Sequence, residues 1–122
     1  MADTPNIYVS VIWSRIPDLG EAQITNLSTV MPMICANALT VPGSRMDFPK
    51  DVVVEVRRQS TMNVNMPPLL VKILAHDSAE RSAKKAEIMD KITQDIRAHF
   101  QNVPERNILV NLDLGNTFSA WI

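Results

Sequence analysis

The chain has 122 residues, 46% of them hydrophobic and 20% charged, with a formal net charge of −1. That length predicts a single domain over residues 1–122, burying roughly two-thirds of the surface its unfolded chain would expose, and the composition excludes disorder as the main state. Near-neutral charge without a basic stripe argues against nucleic-acid binding, and no apolar run approaches the roughly 20 residues of a bilayer span. The start MADTPNIYVS lacks a basic segment followed by an apolar core, so a cytoplasmic protein without membrane association is expected. Cys35 is the only cysteine, which leaves no internal disulfide and no multi-cysteine zinc site. With His76 and His99 as the only histidines, a metal centre would need carboxylate ligands that no motif supplies.

Residues Ile7 to Trp13 alternate, with Ile7, Val9, Val11 and Trp13 on one face, and predict a strand. Asp18 then reads as the N-cap of a helix whose apolar positions Ile24, Leu27, Met31, Ile34, Cys35 and Ala38 recur at helical spacing. Pro32 lies inside it and predicts a bend or break about one turn earlier. A second strand is predicted over Val52 to Arg57. The polar stretch from Arg58 to Pro68 reads as a connection. Leu69 to Ala75 is apolar on both faces except for Lys72, the pattern of a central strand.

Asp77 and Glu80 have capping-box spacing before a helix expected to run unbroken from Ala79 to Phe100. Ile88, Met89, Ile92, Ile96 and Phe100 form its apolar stripe, and Glu80–Lys84 and Glu87–Lys91 have i,i+4 spacing on its wet side. Ile108 to Leu114 is the fourth predicted strand, and GNTFSAWI follows as a tail.

The order is thus β-α-β-β-α-β, and the halves look alike. Pro5 precedes IYVSV as Pro67-Pro68 precedes LLVKI, and Pro49 precedes VVVEV as Pro104 precedes NILVNL. The spacing suggests a duplicated β-α-β unit of about 60 residues, with pseudo-repeats at 5–60 and 67–117. Each unit should pair its two strands in parallel through a right-handed crossover. The expected fold class is α/β, with a four-stranded sheet and two helices on one face. Two arrangements share this string: a ferredoxin-like domain, whose antiparallel sheet has strand order 4-1-3-2, and a pair of parallel β-α-β units related by pseudo-symmetry.

The last third of the chain carries a resemblance. Val103-Pro104-Glu105-Arg106, the strand ILVNLDL and a tail with Trp121 eight residues beyond Asp113 resemble the end of macrophage migration inhibitory factor-like proteins. LLVKILAHD, the turn SAER and KKAEIMDKITQDI resemble 4-oxalocrotonate tautomerase-like chains, as does VSVIWSR, ending at Arg15. The tautomerase superfamily is the family resembled. The resemblance implies a homotrimer without cofactor that moves protons on a small carboxylated enol or keto acid. It also implies catalysis by an amino-terminal proline, a secondary amine whose pKa is brought near neutrality by an apolar pocket and nearby cations.

The proline aligned before IYVSV is Pro5, and in the encoded chain its nitrogen is a tertiary amide with no lone pair to act as a base. Pro5 is therefore a candidate catalyst only if processing exposes it. Otherwise the expectation is a non-catalytic ligand-binding or protein-interaction member of the same fold, with an unrelated ferredoxin-like binding domain as the further alternative. For the carboxylate, the resemblance implies Arg15 and Arg81 as bidentate forks. His76, near the rim of the expected pocket, is a candidate general acid, and Phe118 and Trp121 are candidate walls. Arg57 and Arg58, ending the second strand, and Arg106, before the fourth, read as solvent-facing, with the lining of a pocket at a subunit boundary as the alternative, and Cys35 reads as a core residue.

Overall fold

The computed structural model describes residues 7–17, 19–42, 48–60, 65–76, 79–115 and 117–122. Pro5, Asp18 and Asp77 lie outside them. Strand β1 (Ile7–Trp13) leads through a two-residue bridge between Ile16 and Leu19 into helix α1 (Glu21–Leu39). Gly20 is the residue at the N-cap of α1, and its amide donates to the Gln23 Oε1 at 2.9 Å. A short 3-10 turn (Pro49–Asp51) introduces β2 (Val52–Arg58). The second half contains β3 (Leu69–Ala75), α2 (Ala79–Ala83), α3 (Lys85–Ala98), β4 (Ile108–Asp113) and β5 (Thr117–Trp121).

The strands form one sheet in the order β2-β1-β3-β4-β5. β1 pairs with β2 in parallel and β3 with β4 in parallel, while β1 and β3 meet antiparallel across the centre. This is the paired β-α-β arrangement and not the 4-1-3-2 sheet of a ferredoxin-like domain. Ile7, Val9 and Val11 of β1, Val71 and Ile73 of β3, and Ile108, Val110 and Leu112 of β4 turn to the covered face. There they meet Ile24, Leu27 and Met31 of α1 and Ile88, Ile92 and Ile96 of α3 in one apolar core.

Three local differences from the sequence reading have physical causes. The tail is not loose: Gly115 adopts φ 102°, its amide donates to the Asp113 Oδ1 at 2.9 Å, and the chain turns back so that β5 pairs antiparallel with β4. The sheet is therefore five-stranded. The second helix is divided at Lys84, whose amide reaches only three residues back to the Arg81 carbonyl (3.0 Å). Arg81 holds the first turn from below, and the isoleucine stripe sets the direction of α3 beyond it. Lys84 then reaches forward to Glu87 at 3.6 Å, three residues along. Finally, α1 runs through Pro32 without interruption, because flanking turns are pinned by buried Leu27, Met31, Ile34 and Cys35.

Candidate functional site

The carboxyl ends of β1 and β2 form the first candidate site. Trp13 and Arg58 are register partners, and the backbone around them is fixed on both sides. The Gln59 amide donates to the Trp13 carbonyl and the Ser14 amide to the Pro68 carbonyl, both at 2.8 Å. Arg15 emerges two residues beyond Trp13 and is exposed. Together with Glu21, Ile24, Thr25 and Ser28 from the first turns of α1, and with Val56, these residues line a groove of about 370 Å³. The Arg58 guanidinium lies over the Trp13 ring, 5.0 Å from its centre. Two cations and two hydroxyls facing a space of this size can hold a small organic anion.

The second candidate lies on the face of the sheet opposite the helices. Strand register sets three rows across it. Val53, Tyr8, Leu74, Asp113 and Thr117 form one, and Glu55, Ser10, Lys72, Asn111 and Ser119 form the middle one. Arg57, Ile12, Leu70, Leu109 and Trp121 form the third. A hollow of about 420 Å³ opens over the first two rows, lined by Tyr8, Ser10, Lys72, Leu74, Asn111, Asp113 and Thr117. At its edge the Tyr8 hydroxyl donates to Glu55 Oε2, and Arg57 Nε approaches Glu55 Oε1 at 2.7 Å. The hydrogen bond to Glu55 holds the phenol protonated above its ordinary range; desolvation and the Glu55 charge act the same way, and Arg57 opposes them. Tyr8 is thus a proton donor in this arrangement.

The residues singled out from the sequence do not share one place in a single chain. Arg15 follows the carboxyl end of β1. His76 follows the carboxyl end of β3, beside the amino end of β1, because Ala75 pairs with Ile7. Seven residues of strand separate these ends by about 20 Å. His76 is exposed, and its carbonyl accepts from Arg81 Nη1 at 3.0 Å. Arg81 itself is only 3% exposed, and its Nε donates to the Leu39 carbonyl at 3.0 Å. It ties the end of α1 to the end of β3. Phe118 pairs with Leu112 on the covered side, under the Lys85 ammonium at 4.4 Å from the ring centre, whereas Trp121 pairs with Leu109 on the open face and is half exposed.

Sequence reading passed over Tyr8, Glu55 and the stacking of Arg58. The signal was present in the period-two pattern, since Tyr8 and Glu55 fall on the same face once β1 and β2 are paired in parallel, but the register itself is not written in either strand alone. Among the described residues no three His, Cys, Asp or Glu side chains cluster as a metal site would require, and no helix is long and apolar enough to cross a membrane.

No family model matches the sequence, and no curated protein does. Solved structures do match in fold. A fused 4-OT, a wild-type asymmetric trimer, superposes with a TM-score of 0.61 at 11% identity, over 88% of this chain and 85% of its own. MIF2 of Leishmania major gives 0.52 at 17% identity, over 92% and 97%. This is the tautomerase fold. N1, a member of the cis-3-chloroacrylic acid dehalogenase family, shares it with a TM-score of 0.59 at 13% identity, over 88% of this chain and 73% of its own. The tautomerase fold also accounts for the parallel pairing within each half and for the five-stranded sheet lying entirely on one side of the helices.

Proposed function

We propose that this chain is a tautomerase-like protein that binds a small carboxylated enol or keto acid, with Arg15 holding the carboxylate. The observation that carries the reading is Arg15 in a groove of about 370 Å³, with no ion-pair partner among the described residues, on a tautomerase fold. Two of the structural neighbours bear names of three-carbon acids, 3-chloroacrylic acid and malonate semialdehyde. That scale suits the groove.

The separation of about 20 Å between the ends of β1 supports a site completed by a second copy of the chain. Arg15 of one copy would then face the amino end of β1 and His76 of another. The fused 4-OT neighbours are trimers, and a homotrimer is the assembly we propose here. In such a site a terminal Pro5, if processing exposes it, would take the enol hydroxyl proton and return a proton to carbon. The Arg15 guanidinium would stabilise the enolate charge that develops between the two transfers. His76 at the rim could supply or accept a proton on the oxygen side. Arg81 serves the site indirectly, by holding the His76 backbone.

Intact mass spectrometry of the protein from its natural source, together with a turnover assay on phenylpyruvate and 2-hydroxymuconate enols, tests this reading. A chain beginning at Pro5 that turns over either enol supports proline catalysis. A chain beginning at Met1 or Ala2 without turnover restricts the protein to binding its acid. Absence of both turnover and carboxylate binding overturns the proposal.

A further inference from the structure

Arg58 differs from the other arginines whose surroundings are described. Arg57, its neighbour on β2, is paired with Glu55 on the open face, and Arg81 is engaged with two backbone carbonyls in the core. Among the described residues neither Arg58 nor Arg15 makes an ion pair, and both line the same groove. Glu21 is the one carboxylate on the groove wall.

Arg58 is also the better fixed of the two. Its guanidinium lies over the indole of Trp13, a residue only 5% exposed and therefore a rigid floor. The ring quadrupole attracts the cation without neutralising it, so the charge stays available to a ligand while much of the side chain's freedom is already lost. An arm ordered beforehand loses less entropy when it binds.

We propose that Arg58 is a second carboxylate-binding arm of this groove, gripping the small acid together with Arg15. The inference rests on the reading of the groove as a small-acid site, and extends it from one guanidinium to two. Arg15 reaches from an exposed position beyond β1, whereas Arg58 presents a planar cation set over Trp13. Thr25 and Ser28 on α1 add hydroxyls on the opposite wall. A carboxylate held between two guanidinium groups is bound more tightly than either fork alone would bind it.

Calorimetric titration of the full chain with phenylpyruvate tests this, using Arg15→Ala, Arg58→Ala, Arg58→Lys and Lys91→Ala, with thermal melting to establish that each variant is folded. Arg58→Ala is expected to weaken binding about tenfold to a hundredfold, the range for a lost charged hydrogen bond. Arg58→Lys should bind at an intermediate level, since an ammonium keeps the charge and loses the planar stack. Lys91→Ala, which removes an exposed charge on α3 away from the groove and the open sheet face, should bind like wild type. If Arg58→Ala binds like wild type while Arg15→Ala is weakened, the second arm is wrong and the small-acid site stands. If Lys91→Ala is weakened as much as Arg58→Ala, the effect is one of general charge and the inference fails. If the wild-type chain binds no phenylpyruvate, the small-acid reading fails and takes this inference with it.

Discussion

Burying a guanidinium costs several kcal/mol unless its protons find acceptors, and the acceptors that Arg81 finds are main-chain carbonyls at two element ends. Leu39 closes α1 and His76 follows β3, so a single side chain replaces hydrogen bonds that helix and strand termini otherwise leave to water. Arg81→Met, which keeps the aliphatic stem, is expected to lower stability by about 2–3 kcal/mol in urea unfolding. Tyr8 offers a cleaner readout, because it is the only tyrosine in the chain. Its phenol is raised above 10.0 chiefly by its hydrogen bond to Glu55. Burial likewise pushes the Cys35 thiol up to about 12. Both groups hold their protons more tightly when folded. Their contribution to stability is therefore complete below the unfolded values and is lost as pH rises through the folded ones. Ultraviolet titration of the phenolate should show a native midpoint above that of the unfolded chain, and Glu55→Gln should bring it down.

At the level of elements, α1 and the second helix teach opposite lessons about punctuation. Pro32 has no amide hydrogen for the Ser28 carbonyl, yet α1 continues, since packing on both sides of the proline outweighs the lost bond. Pro32→Ala should raise the unfolding free energy, by at most about 3 kcal/mol in a chemical melt. Lys84, with no helix-breaking character, nevertheless marks the division between α2 and α3. Its propensity carries no hint of this, because the cause is the anchoring of Arg81 to a carbonyl 42 residues away in sequence. The strands were more legible. Alternation in β1 and the apolar run of β3 mark both strands, and the proline-led halves announce the duplication. β5 was hidden because its five residues, TFSAW, are half-wet, and an edge strand needs no apolar alternation of its own. The candidate site was legible only in its parts. Arg15 stands out at a strand end, but the partner that stacks on Trp13 is found only through the parallel register of β1 and β2.

For the whole molecule, the sheet presents helices on one side and an uncovered face on the other. Leu74, Trp121 and Val53 on that face are 55%, 50% and 41% exposed, around a middle row of polar residues. Exposed large apolar side chains gathered on one sheet face mark an interaction surface, and a trimer of this chain would cover them. Light scattering should return the mass of three chains for the wild type, and Leu74→Asp, which puts a charge in the contact, should shift the population toward one chain. A site shared between copies gives that variant a second consequence, weaker binding of the small acid in proportion to the loss of trimer. The most direct measurement is the affinity of the folded wild-type chain and of Arg15→Ala for phenylpyruvate, by calorimetry at fixed salt. A loss of about 1.5–3 kcal/mol of binding free energy in Arg15→Ala is the predicted result. Equal affinity in the two proteins would contradict the account.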